Sequence, residues 1–468
     1  MEKRHLGVVG LGVMGKNLAL NAESKGFSAA GFEIDPEKAK KVAAAVAGKQ
    51  ITVTSSLKDF VAALERPRRL LMMVPAGKPV DAALQDLKPY LEKDDIVIDG
   101  GNSYFKDTER RVKDLDSVGL HFFGMGVSGG EEGALHGPSL MPGGDEASYR
   151  HLEPLLTKMA AQTSDGACCA YLGPRGAGHY VKTVHNGIEY GILQIICEAY
   201  DIFKSVLGLS VPEMRDIFDE WNRSDLNSYL LEITTLVLGK TDPDTGKPLV
   251  ELILDEAEQK GTGKWTAQDS MDLGVAIPTL AYAVEARILS GQKDERVAAS
   301  KILQGPARKF SGDRKAFIAH LREAYRLAVL VCYAQGFEQL RVASKEYKYN
   351  LNYSEIARIW KGGCIIRSKM LDPIQQAFRS DSNLPNLMLA PSLSATINKS
   401  SADLREVVKA AIDAGTPCLA LATSLGYFDS YRQNRLPANL LQALRDCFGA
   451  HTYHRIDKAG VFHTEWAK

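Results

Sequence analysis

Short apolar runs alternate with amphipathic stretches along the first third of the chain. LGVVG is followed by a helical pattern from Lys16, AAGFE by another from Pro36, and RLLMMVP by a third, with IVIDGG and LHFFGMG closing the series. Such alternation predicts a parallel sheet covered by helices, running to about Leu172. Beyond Pro174 apolar positions recur at helical spacing to about Leu436, with hardly a strand candidate between them. The predicted architecture is an α/β Rossmann-type domain (1–175), a large all-α domain for substrate and dimerisation (176–435), and a C-terminal tail (436–468). EMRDIF (213–218) and EIARIW (355–360) each follow an aromatic-bearing amphipathic helix and a polar loop, so an internal helical repeat is expected. The tail has one short helix and then polar and aromatic residues without period. A segment of that kind orders only when it docks on something.

The first turn carries chemistry. Gly10, Gly12 and Gly15 form GxGxxG after the strand LGVVG and before a helix, the setting in which the pattern binds a dinucleotide. The glycines allow a tight turn and close approach of backbone to pyrophosphate, and the helix N-terminus offers N–H groups to the anion; Leu11, Val13 and Met14 belong to the same turn. The alternative is a glycine turn with no ligand. Glu33 follows the second strand, roughly 20 residues past the glycines, where a carboxylate accepts from the adenosine ribose hydroxyls. With Ile34 and Asp35 beside it, no Arg or Lys stands in this stretch to meet a 2′-phosphate, so NAD is expected over NADP. One charge-assisted hydrogen bond is worth about 1.5–3 kcal/mol. Asp35 has a second reading, as the cap of the helix from Pro36.

Composition narrows the function classes. At 468 residues the chain exceeds one ordinary core, and 57 Lys plus Arg against 57 Asp plus Glu leaves no net field to attract nucleic acid or an anionic membrane. Seven scattered cysteines without a CxxC pair argue against a disulfide framework or a structural zinc site. The apolar start is broken by glycines and ended by Lys16, so it reads as strand and turn rather than signal peptide. No apolar stretch reaches the roughly 18 residues that span a bilayer. A soluble cytoplasmic protein is expected.

Four longer motifs remain: IDGGNS (98–103), GVSGGEEGALHGPSLMPGG (126–144), GAGHYVKTVHNGIEYG (176–191) and KGTGKWT (260–266). If the third is helical, Lys182, Asn186 and Glu189 fall at i, i+4 and i+7 on one face, flanked by His185 and Tyr190. A base, an acid and polar positioners then share a cleft; taken singly, each would be an ordinary helix-surface residue. KGTGKWT is no phosphate-binding P-loop, since Glu258 stands where its first glycine is needed and Trp265 replaces the Ser/Thr. No metal-ligand spacing appears, and a metal-free reaction is expected.

With GLGVMG in front and FGAHTY (448–453) behind, these motifs resemble the 6-phosphogluconate dehydrogenases over essentially the whole chain. The resemblance implies oxidation of the C3 hydroxyl of 6-phosphogluconate, loss of CO2 and protonation of the enediol to ribulose 5-phosphate, a pentose phosphate reaction. It implies Lys182 as general base and Glu189 as the acid. It assigns Asn102, Ser128, Gly129, Gly130, His185 and Asn186 to the sugar acid. Tyr190, Lys260, Thr262 and Arg287 would hold its phosphate, with Arg445 and His451 reaching in from the partner of a homodimer. Val74, Pro75, Ala76 and Asn102 would join the glycine turn at the cofactor. The departures lie at the cofactor end: NADP-dependent members carry Asn-Arg-Thr where this chain has Glu33-Ile34-Asp35, and many carry Lys where it has Pro75. Two rival readings are a smaller β-hydroxyacid dehydrogenase, which would lack Lys260, Arg287, Arg445 and His451, and a dinucleotide-binding protein without turnover.

Overall fold

The computed structural model describes residues 2–259, 261–306 and 310–467. Seven strands form one sheet: β1 (Leu6–Val9), β2 (Ala29–Phe32), β3 (Ile51–Thr54), β4 (Arg69–Met72), β5 (Ile96–Asp99), β6 (His121–Ser128) and β7 (Ser139–Gly143). Their order is β3-β2-β1-β4-β5-β6-β7, parallel throughout except β7, which runs against β6. Side chains alternate across the pleat, so Leu6 and Val8 pack on one face with Leu18, Ala22 and Leu155, while Val9 packs on the other with Phe60, Leu70 and Val80. Strand order reverses between β1 and β4, and in open α/β sheets that crevice takes the ligand.

Two strands of this sheet escaped the sequence pattern. β3 is an edge strand of four residues, mostly half-exposed, too short and too polar to register as an apolar run. β7, at the other end of the sheet, contains Pro142 and Gly143, residues that do not read as strand.

From Ala177 onward the described chain is helical apart from isolated bridges. The helix Ala177–Asp201 is buried over most of its length and lies between the sheet and the helix Arg314–Glu346, which in turn packs on Pro391–Ala414. Glycines set how closely it approaches the strands. A Cβ on Gly178 would meet the carbonyl oxygens of Met141 and Gly124 at 2.2 and 2.3 Å, and one on Gly126 would meet Lys182 Cβ at 2.4 Å. EMRDIF lies in the helix Val211–Asn222 and EIARIW runs from the helix Tyr353–Ile359 into its C-cap, the first opened by a Ser210/Glu213 capping box and the second by the N-cap Asn352. Each leads to a buried tryptophan, Trp221 and Trp360. Among the described residues no helix is long and apolar enough to cross a membrane.

The tail folds on itself. After the helix Ala438–Gly449, the Asp446 carboxylate accepts from the N–H groups of Thr452 and Thr464 at 2.9 and 3.0 Å, His463 Nδ1 at 2.9 Å and Trp466 Nε1 at 2.8 Å. Burial opposes its ionisation, but these donors together hold its pKa well below the usual carboxylate range. Leu440, Leu441, Leu444 and Phe448 of this helix remain more than half exposed in the protomer.

Candidate active site

The glycine turn sits at the carboxyl end of β1. Gly10 has φ +87°, and a Cβ on it would strike Met73 O at 2.7 Å; one on Gly15 would strike Gly10 O at 2.0 Å; around Gly12 nothing lies within 4 Å. The first and third glycines are therefore required by close packing, and the second faces open space. Gly12 caps the helix Val13–Ser24 without a side-chain hydrogen bond, so its first-turn N–H groups point outward at the turn. A cavity of about 710 Å³ opens there, lined by Gly10, Gly12, Glu33, Ile34, Val74 and Pro75 among others. Its size suits a dinucleotide half.

Glu33 is buried, with Oε2 accepting from Leu11 N–H at 3.1 Å and paired with Lys38 Nζ at 2.8 Å. Asp35 instead caps the helix Pro36–Ala45, its Oδ1 accepting from Glu37 N–H and Lys38 N–H, and it is not part of the cavity wall. No cation stands within Glu33-Ile34-Asp35, but the fold adds one from outside it: Lys38, one helical turn past Asp35, is carried back to the cavity wall.

On the substrate side the helix Ala177–Asp201 brings Lys182, His185, Asn186 and Glu189 together as its period requires. Lys182 and His185 are buried, and Gly126 of β6 makes room for the lysine stem. With Asn186 Nδ2 donating to Thr262 Oγ1 at 2.9 Å, Asn186 Oδ1 faces His185 Nδ1 at 3.0 Å and can only accept, so the ring proton sits on Nδ1. Nε2 then accepts from Ser128 Oγ at 3.2 Å, and that oxygen accepts from Ile365 N–H at 3.3 Å. Lys182 Nζ lies 3.4 Å from the same Nδ1, a contact that suits an uncharged amine.

Burial pushes the Lys182 pKa down, against the pull of Glu189. Burial pushes the Glu189 carboxyl up, with Lys182 and Arg287 opposing. His185 is driven far down by burial and then by Lys182, and stays neutral. An amine and a carboxylic acid, both inclined to be uncharged, are the pair an acid–base reaction needs.

Around this face the Arg287 guanidinium stacks 3.4 Å from the Tyr190 ring centre, Gly129 (φ +110°) and Gly130 (φ +62°) continue from Ser128, and Thr262 opens the helix Thr262–Asp272. Asn102 is exposed in the turn after β5, held from beneath by Asp99, which accepts from Gly101 N–H at 3.0 Å and Ser103 Oγ at 2.6 Å. Ala76 and Val13 are exposed beside the cofactor cavity. Lys260 falls outside the described residues. Arg445 and His451 are not brought to the cluster within the protomer; both are exposed on the tail, and Arg445 bonds Gln442.

Sequence reasoning missed the 362–365 loop. A Cβ on Gly129 would meet Gly363 O at 2.5 Å, and Trp360 packs edge-on to His185 at 5.6 Å, so this loop closes the floor beneath Ser128 and His185. The Gly-Gly pair at 362–363, with φ +62° at Gly363, was the available signal. Among the described residues no group of three or more His, Cys, Asp or Glu is placed to hold a metal.

A ligand cavity at the switch point of a largely parallel sheet, with a buried lysine and a half-buried glutamate on the helix crossing its far strands, fits the nicotinamide-dinucleotide-binding oxidoreductases that act on CH–OH groups, among which the chain falls. Residues 5–173 match the NAD binding domain of 6-phosphogluconate dehydrogenase and residues 178–466 match the 6-phosphogluconate dehydrogenase C-terminal domain. The chain belongs to the decarboxylating 6-phosphogluconate dehydrogenase family. It is 56% identical over 470 residues to the decarboxylating 6-phosphogluconate dehydrogenase of Synechococcus elongatus, covering 100% of both chains. It is 50% identical over 469 residues, again 100% of both, to a Bacillus subtilis relative named as NADP(+)-dependent. The Plasmodium falciparum 6-phosphogluconate dehydrogenase, solved in its apo form, with NADP+ and with 6-phosphogluconate, superposes with a TM-score of 0.96 at 38% identity, over 98% of this chain and 100% of that one.

Proposed function

We propose that the protein converts 6-phosphogluconate to ribulose 5-phosphate and CO2 with NAD as the preferred dinucleotide. The observation that carries this is the buried face of the helix Ala177–Asp201, where Lys182 is pushed toward the free amine and Glu189 toward the free acid. Lys182 Nζ takes the C3 hydroxyl proton. The dinucleotide, held by the glycine turn, supplies the hydride acceptor. The resulting ammonium polarises the C3 ketone while the carboxylate carbon leaves as CO2, and Glu189 delivers a proton to C1 of the enediol. Ser128, His185 and Asn186, already joined by hydrogen bonds, orient the sugar acid, with Asn102 at the edge shared with the cofactor. Thr262, Tyr190 and Arg287 offer a hydroxyl, a phenol and a guanidinium to its phosphate, and Lys260 belongs with them in sequence.

NAD preference rests on Glu33, whose buried carboxylate lines the cavity where the ribose would lie. A hydroxyl donating to it gains about 1.5–3 kcal/mol, whereas a 2′-phosphate meets like charge. Asp35, committed to its helix, contributes less. The self-folded tail, with apolar side chains exposed beside Arg445 and His451, supports a homodimer in which each tail completes the partner's site. Seven unpaired cysteines suit a cytoplasmic enzyme. The test is the initial rate with 6-phosphogluconate at equal low NAD and NADP, with CO2 release followed in parallel. A faster NAD rate with stoichiometric CO2 supports the reading; a faster NADP rate overturns the cofactor preference alone, and no turnover with either overturns the reaction.

A further inference from the structure

Lys38 has no role in the reaction just described, yet its ammonium lies 2.8 Å from Glu33 Oε2 in the wall of the dinucleotide cavity. Leu11 N–H and Lys38 both meet that carboxylate at Oε2. The two partners differ in freedom. Glu33 is 6% exposed at its side chain and tied to the backbone of the glycine turn, whereas Lys38 is 47% exposed on a flexible stem. Asp35, the other acid of the stretch, is occupied by the helix cap. Glu33 is thus a fixed anion, and Lys38 a movable cation that it holds.

We propose that Lys38 is a cofactor-specificity residue, a cation able to bind a ribose 2′-phosphate and kept from doing so by Glu33. The inference rests on reading Glu33 as the NAD-selecting group. A phosphate monoester entering this end of the cavity finds an ammonium within reach of its wall, and an ammonium is a sufficient point-charge partner for phosphate. It also finds the Glu33 carboxylate directly behind that ammonium, which repels it and competes for the same cation. Replacing Glu33 by glutamine removes the repulsion and the competitor together, while the amide oxygen can still accept from Leu11 N–H. Lys38 then has one anion to serve, the one on the ligand.

Calorimetry with adenosine 2′,5′-bisphosphate and, separately, 5′-AMP tests this on the full-length wild type and on Glu33→Gln, Lys38→Gln and the double variant, alongside kcat/KM for NADP and NAD. Glu33→Gln should tighten the bisphosphate at least about tenfold, and Lys38→Gln in that background should abolish the gain with little effect on 5′-AMP. Lys38→Arg in the same background should keep it, which separates loss of the cation from misfolding. A double variant that keeps the bisphosphate gain overturns the proposal, because the gain then comes only from relieved repulsion. Should the wild type itself prefer the bisphosphate and NADP, the Glu33 reading fails. Lys38 as phosphate cation then stands or falls on whether Lys38→Gln removes that preference.

Discussion

Lys182 and Glu189 stand two turns apart on one face of the helix Ala177–Asp201, and burial moves their pKa values in opposite directions, the amine down and the carboxyl up. Each group is moved toward its uncharged form by the same cause.

The pH profile of kcat/KM should accordingly be a bell. Activity rises as Lys182 loses its proton and falls as Glu189 loses its own. Glu189→Gln should remove the alkaline limb and slow turnover by about a hundredfold or more, the usual contribution of a positioned acid. Lys182→Met should abolish turnover while leaving NAD binding in place. A Glu189→Gln profile with both limbs intact would take Glu189 out of the acid role.

Gly126→Ala tests the close approach of β6 to the helix. The added carbon would sit 2.4 Å from Lys182 Cβ, with the helix backbone behind it unable to yield freely. Displacing a reacting group by an ångström costs on the order of a hundredfold, so kcat should fall to that extent while NAD affinity changes little. Unchanged kcat would mean that the amine does not need its present position.

Arg111 ties the start of the helix Lys78–Leu87 to the end of β5. It is buried, donates to Asp81 at 2.8 Å and to Gly77 O at 2.9 Å, and lies 3.6 Å from the buried Asp99. Hydrogen bonding to Arg111 and then to Arg110, against partial burial, holds the Asp81 carboxyl down at about 2. Arg111→Met strands Asp99 without a cation and should cost about 3–5 kcal/mol, read as a lower urea midpoint. NAD binding should weaken as well, because Gly77 and Asp81 open the helix Lys78–Leu87 that follows Val74 and Pro75. A midpoint within error of the wild type would refute the structural part of this account.

Asp446→Asn replaces an acceptor of four hydrogen bonds by a side chain that can accept at one atom only. The tail around Arg445 and His451 should loosen, raising KM for 6-phosphogluconate roughly tenfold, the loss of one charge-assisted contact. NAD binding, set at the far side of the cleft, should not move. An unchanged KM would separate the tail from the substrate.

Local sequence revealed those features whose cause is local. The glycine turn reads directly because its GxGxxG spacing is complete within one strand–turn–helix unit, where Gly15 packs against Gly10 O, and the Lys182–Asn186–Glu189 face follows from helical period alone. β3 was missed because it is short and buries little, and β7, though buried throughout, because Pro142 and Gly143 do not read as strand. Lys38 was passed over because its meaning depends on which way a helix turns after Asp35, and the 362–365 loop because it meets Ser128 across more than two hundred positions of chain. For that loop, distance along the sequence rather than weakness of the interaction was the obstacle.

The Asp446 knot gives the C-terminal tail a shape of its own, and with it a genetic signature. If each tail serves the opposite protomer, a Lys182→Met chain with a sound tail and an Arg445→Ala chain with a sound lysine are each crippled alone. Mixed, they form heterodimers in which one cleft receives both working parts and the other receives neither. Each heterodimer would thus carry half of the activity of the wild-type dimer, so two defective alleles expressed together restore activity that neither has alone, a complementation that no enzyme with self-contained clefts can show.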